Sequence, residues 1–240
     1  MSSFAIRSTQ KELMDTYSGP LEELRTILAD INRVNRLLGG IAITQDAVFR
    51  LIEENPKKSY TILDVGCADG YMLRSLCIAA RSRGLSLKCI GVDLNGDALQ
   101  LAQEQSSDFP EIRYLKKNVL HGGMEAVDCD IVISSLTLHH FNDADIVVFL
   151  KRFLDLAALG VVINDLQRNP LAYYLFKPFS LFFIKTRTAR IDGLISIQRA
   201  FKRRDLQRFA EALPQARHHI SWQWAFRYLW IMDHKPKEHL

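Results

Sequence analysis

From Leu21 to Leu38 apolar residues return every three or four positions, at Leu21, Leu24, Ile27, Leu28, Ile31, Val34 and Leu38, and the pattern stops at Gly39-Gly40. That spacing is one face of an amphipathic helix, and glycine ends it. A second short helix is predicted over Asp46–Glu54, followed by a loop at Asn55-Pro56-Lys57-Lys58. Beyond it the period shortens. Apolar runs predict buried strands at Thr61–Val65, Leu87–Val92, Ile112–Leu115, Ile131–Ser134 and Gly160–Ile163. Helical spacing returns between them, at Tyr71–Arg83, Gly96–Gln105 and Ala144–Leu156. The last puts Ile146, Phe149, Leu150, Phe153 and Leu154 on one face, with Asn142 and Asp145 as a capping pair. Strands alternating with helices predict a parallel sheet covered on both sides.

The rhythm breaks at Leu171. Leu171–Ile197 is aromatic and then basic, Phe201–Leu213 reads as another amphipathic helix, and His219–Asp233 reads as two terminal strands. Without repeats or a low-complexity linker, the chain is read as an N-terminal helical segment over residues 1–57 and one α/β domain over 58–240. A cap is inserted after the fifth strand at about 168–200. A chain of 240 residues, 48% hydrophobic, can build a sizeable core. The net charge of +4 does not by itself imply nucleic acid. Cys67, Cys77, Cys89 and Cys129 show no CxxC spacing and read as reduced thiols of an intracellular, cytoplasmic protein. The first residues lack the apolar core of a signal peptide, and Leu171–Ile184 is too short and too interrupted to span a bilayer.

The chemistry lies where each strand ends, because open parallel sheets bind ligands beyond those ends. Asp64-Val65-Gly66-Cys67-Ala68-Asp69-Gly70 is a strand turning tightly into a helix, with backbone N–H groups bare to a ligand. Asp93 follows the second strand, where a carboxylate can accept from both hydroxyls of a ribose. Asn118-Val119 follows the third strand and Ser134-Ser135-Leu136 the fourth. The turn is Gly-x-x-x-Gly rather than the dinucleotide pattern, and it carries Asp64 and Asp69. Those acids disfavour a pyrophosphate and suit an ammonium or sulfonium.

In this order and spacing, Asp64-x-Gly66-x-x-x-Gly70, Asp93, Asn118 and Ser135-Leu136 resemble the class I S-adenosylmethionine-dependent methyltransferases, from about Tyr60 to Ile163. The segments Asn32–Gly40, Leu136–Phe141, Asn164-Asp165-Leu166 and Asp192-Gly193-Leu194 resemble a bacterial small-molecule branch of them, often assigned to quinone, phenolic or polyketide-like acceptors. The resemblance implies a doubly wound, Rossmann-like sheet of seven mostly parallel strands with the last antiparallel. It implies that Gly66, Cys67, Ala68 and Gly70 wrap the methionine moiety of S-adenosylmethionine and that Asp64 orients its amino group. Asp93 would hold the ribose, Leu94 pack on the adenine, Asn118 and Val119 border it, and Ser135 and Leu136 lie near the sulfonium. The family often has an acid where Asn118 stands. Arg36 is expected either to pair with the cofactor carboxylate or an acidic substrate, or to make a surface salt bridge.

Methyl transfer from a sulfonium needs alignment above all, and an oxygen acceptor must also lose its proton. His139 and His140 are candidate general bases, and Asp165 is the other polar group expected to face the pocket; packing or capping roles are the alternatives. No spacing of His, Cys, Asp or Glu suggests a metal. The aromatics Tyr173, Tyr174, Phe176, Phe179, Phe182 and Phe183 read either as core or as a cap over an apolar acceptor. The basic run from Lys185 to Arg208 reads either as a solvated face or as a contact for a membrane or an acidic carrier protein. Asn169-Pro170-Leu171-Ala172-Tyr173-Tyr174 superficially resembles the Asn-Pro-Pro-Tyr signature of methyltransferases acting on exocyclic amines, but it follows strand five where that signature follows strand four, so base methylation of nucleic acid is disfavoured. The expected function is transfer of a methyl group, more readily to oxygen, of a small apolar acceptor, with S-adenosylhomocysteine as product. The alternatives are a non-catalytic cofactor-binding module and an RNA methyltransferase.

Overall fold

A computed structural model describes residues 4–119 and 128–234. Seven strands form one sheet in the order β3-β2-β1-β4-β5-β7-β6. They are β1 (Tyr60–Val65), β2 (Leu87–Asp93), β3 (Ile112–Lys116), β4 (Cys129–Ser135), β5 (Ala157–Leu166), β6 (Ala216–Gln223) and β7 (Arg227–His234). Neighbours from β3 to β5 are parallel, and β7 is antiparallel to both β5 and β6. The helices are α1 (Leu21–Leu37), α2 (Gly40–Glu54), α3 (Tyr71–Ser82), α4 (Gly96–Gln105), α5 (Asp143–Leu156), α6 (Pro170–Phe183), α7 (Arg187–Arg199) and α8 (Arg203–Glu211). The doubly wound, Rossmann-like class is therefore the observed one.

β1 and β4 are buried on both faces, which is why they read as unbroken apolar runs rather than alternating ones. One core fills the α5 side, from Leu63 and Val132 to Phe153, Phe209 and Trp230. The other fills the α2–α3 side, from Ile62 and Ile131 to Val48, Leu73 and Leu76. Two elements are longer than their sequence patterns. α2 begins at Gly40, directly after the αL residue Gly39, instead of at Asp46. β5 runs on to Leu166 because β7 pairs with it there, Asn164 opposite Leu229 and Leu166 opposite Arg227. α8 is shorter than its pattern, since Phe201 belongs instead to an isolated bridge with Gln167.

After β5 the chain forms α6 and α7 before returning to α8. Asn169 Oδ1 accepts from Leu171 N at 2.8 Å, and Pro170 occupies the first turn, where its missing N–H costs nothing. α1 packs Leu24 and Leu28 against Ala98 and Leu101 of α4, and Ile27 against Ile184 and Ala189 beside the insertion. Asp30 fixes the α6–α7 junction by accepting from Lys185 N and Thr186 N. All four cysteines are buried free thiols. Among the described residues, no helix is long and apolar enough to cross a membrane.

Candidate active site

At the carboxyl edge of the sheet lies a cavity of about 1370 Å³, roofed by α1, α6, α7 and residues 6–17. Its first end is the turn after β1. Gly66 has φ +79° and Gly70 φ +74°, values open to glycine and strained for other residues. A Cβ on Gly66 would also lie 2.4 Å from Thr137 Oγ1, so the β1 and β4 loops interlock at this glycine. Ala68 (φ +46°) and Leu136 (φ +55°) hold left-handed conformations too, and such strain in non-glycine residues gathers at ligand sites.

Asp93 caps this turn from the neighbouring strand. Its Oδ2 accepts from Ala68 N at 2.9 Å and its Oδ1 from Asn95 N at 2.9 Å. Asp64 is 2% exposed. Burial, and then the Asp93 charge, push its carboxyl up to about 8, which leaves it largely protonated at neutral pH. Asp69 is already compensated: it accepts from Asn32 Nδ2 at 3.0 and 2.9 Å and faces Arg74 Nη2 at 3.7 Å. Asn118 and Val119 line the wall after β3, with Leu94, Ser135 and Leu136 nearby in the same cavity.

The second end lies beyond β4 and β5. His139 is buried with its Nδ1 2.7 Å from Asp165 Oδ1 and its Nε2 3.4 Å from Glu12 Oε1. Burial alone would lower this histidine, but Asp165 and then Glu12 outweigh it and raise it to about 9. The ring is thus an imidazolium at neutral pH. The same contacts hold Asp165 and Glu12 below the usual carboxylate range despite their burial. His140, a quarter exposed, has Nδ1 2.8 Å from Asp15 Oδ1 and Nε2 3.7 Å from Glu12 Oε2. Burial works against the Asp15 charge too, but its bond to His140 brings it down to about 2.

Arg199 ties this end together. Its guanidinium donates to the carbonyls of His139, His140 and Gln10 and to Asp15 Oδ2. Arg7 donates to the His139 and Phe141 carbonyls and to Asp143. Asp192 accepts from Leu13 N and Met14 N. Residues 6–17 are thereby strapped across the cavity by side chains of α7 and by the loop after β4.

The structure gathers Asp64, Gly66, Cys67, Ala68, Asp93, Leu94, Asn118, Val119, Ser135, Leu136, His139 and His140 around this one cavity. Three expected residues stand elsewhere. Gly70 caps α3 behind the turn rather than lining the cavity. Arg36 is exposed in the last turn of α1 and does not line the cavity, whereas Asn32 and Asn35 of the same helix do. Asp165 does not reach the cavity; it is buried behind His139 and acts through that ring. The basic run is not one solvated face either, because Arg199 is buried and Arg190 donates to the Ile184 carbonyl. The α6 aromatics divide: Phe176 packs against the Ile27, Ile184 and Ala189 cluster and, with Phe179, lines the cavity, while of that helix only Ala172 and Ser180 are buried.

Sequence reasoning missed Glu12, Asn32, Asn35, Thr137, Arg199 and Arg227, all on the cavity wall. Asn32 and Asn35 lay within a recognised segment, but only the fold shows their partners. Glu12, His139 and His140 come close enough to hold a metal ion, a grouping invisible in the spacing because Glu12 lies so far from the histidines along the chain.

Residues 62–160 match the family model described as a methyltransferase domain. No curated protein matches the chain by sequence. Among solved structures, the plantazolicin methyltransferase BpumL in complex with S-adenosylhomocysteine aligns over 90% of this chain and 96% of its own, with 12% identity and a TM-score of 0.65. The magnesium protoporphyrin IX methyltransferase of Synechocystis PCC 6803, also with bound S-adenosylhomocysteine, aligns over 82% and 84%, with 17% identity and a TM-score of 0.53. The CMeT domain of the citrinin polyketide synthase aligns over 82% of this chain and 52% of its own, with 9% identity and a TM-score of 0.62. At these identities the likeness is one of fold. Residues 62–160 thus carry a methyltransferase domain, and the strand order and the acid-bearing turn agree with one that uses S-adenosylmethionine.

Proposed function

We propose that this methyltransferase acts on an oxygen of a small, largely apolar acceptor of phenolic, quinone-like or polyketide-like character. The observation that carries this reading is the continuity of the cavity, from the Asp64–Asp93 turn to the apolar wall formed by Phe176, Phe179 and Leu175. S-adenosylmethionine, when bound, supplies a methyl group on an electrophilic sulfonium.

The chain's own residues do the rest. The Gly66–Ala68 backbone and Asp64 receive the methionine end, where an ionised carboxylate suits an ammonium. Asp93 receives the ribose, Leu94 covers the adenine, and Asn118 and Val119 border it. Ser135 and Leu136 flank the reacting centre. His140, with its Nδ1 held by Asp15, is the proton acceptor at the second end. His139, already protonated and fixed by Asp165, supplies positive charge rather than a base. Closure by residues 6–17, α6 and α7 excludes water and aligns the acceptor with the methyl.

The outer face of α6 supports peripheral docking on a membrane or on an acidic carrier protein. Leu171, Tyr174, Leu181 and Phe182 are exposed, Phe182 by 84%, beside Lys177. Mass spectrometry of cell extract incubated with the protein and methyl-labelled cofactor tests the whole reading. A labelled apolar product with an added O-methyl is expected; label only on RNA or on nitrogen rejects it, and no label in any fraction favours a non-catalytic binding module.

A further inference from the structure

Arg227, the first residue of β7, is 2% exposed and lines the cavity. Its Nε and Nη1 atoms are buried without a hydrogen-bond partner, and among the described residues no carboxylate forms an ion pair with it. Asp165 acts on it only at longer range; burial brings the guanidinium down to about 10, which leaves it charged at neutral pH. A buried unpaired charge is among the most expensive features a fold can carry. Across the same space stands Asn35 of α1, whose Oδ1 is also buried and unpartnered. Both side chains press on Gly40: a Cβ there would sit 1.9 Å from Asn35 Oδ1 and 2.8 Å from Arg227 Cζ. A reoriented Asn35 amide could satisfy one N–H, but it is neutral and leaves the charge uncompensated.

This place lies at the β5–β7 edge, since Arg227 pairs with Leu166, and the cavity wall beside it is Trp224, Phe226 and Leu38. We propose that Arg227, with Asn35, forms an oxyanion subsite that holds an acidic group of the methyl acceptor, a carboxylate or an ionised phenol carried on an apolar body. This rests on the methyltransferase reading above and narrows its acceptor class to acids. A planar guanidinium meets a carboxylate through paired hydrogen bonds, and the pairing is strongest where water is excluded. The neutral walls around it would take the apolar remainder of the ligand. The cofactor's own methionine carboxylate has the same chemistry, so the test must separate the two sources.

Calorimetric titration with 2-naphthoate and with its neutral amide, each with and without S-adenosylhomocysteine, does so for the wild type, Arg227→Met and Arg227→Lys. The expected result is preferential binding of naphthoate, weakened about tenfold or more in Arg227→Met, partly restored in Arg227→Lys, and no effect of either change on the amide. S-adenosylhomocysteine should bind all three proteins alike. Melting supplies a second readout: removing an unpaired buried charge should leave Arg227→Met as stable as the wild type or more so. A marked fall in its melting temperature would mean that Arg227 has a structural partner, and would overturn the proposal. Equal binding of naphthoate and amide would do the same. Loss of S-adenosylhomocysteine affinity with naphthoate unchanged would assign Arg227 to the cofactor and also reject the acceptor subsite. Absence of S-adenosylhomocysteine binding in the wild type counts against the methyltransferase reading, while the naphthoate comparison still judges Arg227.

Discussion

At the β1–β2 end of the cavity the turn is held largely through backbone, with Asp93 accepting from Asn95 N and Ala68 N, and Asn32 and Thr137 reach it from elsewhere in the chain. At the β4–β5–β7 end the contacts join side chains from the whole sequence: Glu12 and Asp15 to His139 and His140, Asp165 to His139, Arg199 to Asp15, with Arg227 unpaired among the described residues. The first end is a rigid turn that presents a fixed set of donors. The second is an ionic mesh whose members hold one another, so its chemistry depends on which charges are present. A common cofactor can be served by the first; an individual acceptor calls for the second.

Substitutions can break this contrast. The largest effect is expected at Arg199, which is buried and bonded to three carbonyls and Asp15. Arg199→Met should cost about 3–5 kcal/mol, a fall in melting temperature on the order of 10 °C, and should free residues 6–17 to hydrogen exchange. An unchanged melting temperature would show that the mesh is dispensable. His139 sets a pH dependence at the same end. Its folded value, about 9, lies above its unfolded 6.5, so its stabilising contribution is complete below pH 6.5 and lost as pH rises through 9. Melting temperature should fall across that window, and the slope should flatten in His139→Gln.

The cofactor end should respond in ligand affinity more than in stability. Asp93→Ala should weaken S-adenosylhomocysteine about ten- to hundredfold, by loss of the charged hydrogen bonds to the ribose that the proposed role gives it, measured by calorimetry. Asp64, held at about 8, must ionise to meet the ligand's ammonium. Affinity should therefore rise by up to about tenfold per pH unit below 8 and level off above it, and Asp64→Asn should remove the rise. The smallest effect belongs to Arg36→Ala. An exposed side chain outside the cavity should change cofactor affinity by less than about twofold, and a larger loss would return Arg36 to the site.

The same contrast explains what could be read from the sequence. Strands β1, β2 and β4 declared themselves because burial on both faces leaves a continuous apolar run, and Gly66 declared its turn because the strand before it and the glycine four residues on make a local pattern. The acids at strand ends followed from topology. Arg36 misled because charge is visible in a sequence but the direction of a helical side chain, one residue from Asn35, is not. Glu12 and Arg227 carried no signal, and Arg199 was visible only as part of a basic run, because each gains its meaning from partners far away along the chain. Asp165 was noticed for its position at a strand end, but its true neighbour, His139, changes it from a cavity group into a support.

The strap of residues 6–17 has a kinetic consequence. Among the polar ties that fasten it are Arg7, Asp192 and Arg199. The Arg7–Asp143 pair is half exposed at its acid and weakens in salt, whereas the buried Arg199 and Asp192 ties and the hydrophobic packing of the sheet beneath do not. Ligand traffic should therefore quicken with ionic strength at concentrations that leave the melting temperature unchanged, which makes the lifetime of the closed cavity a separate quantity from the lifetime of the fold.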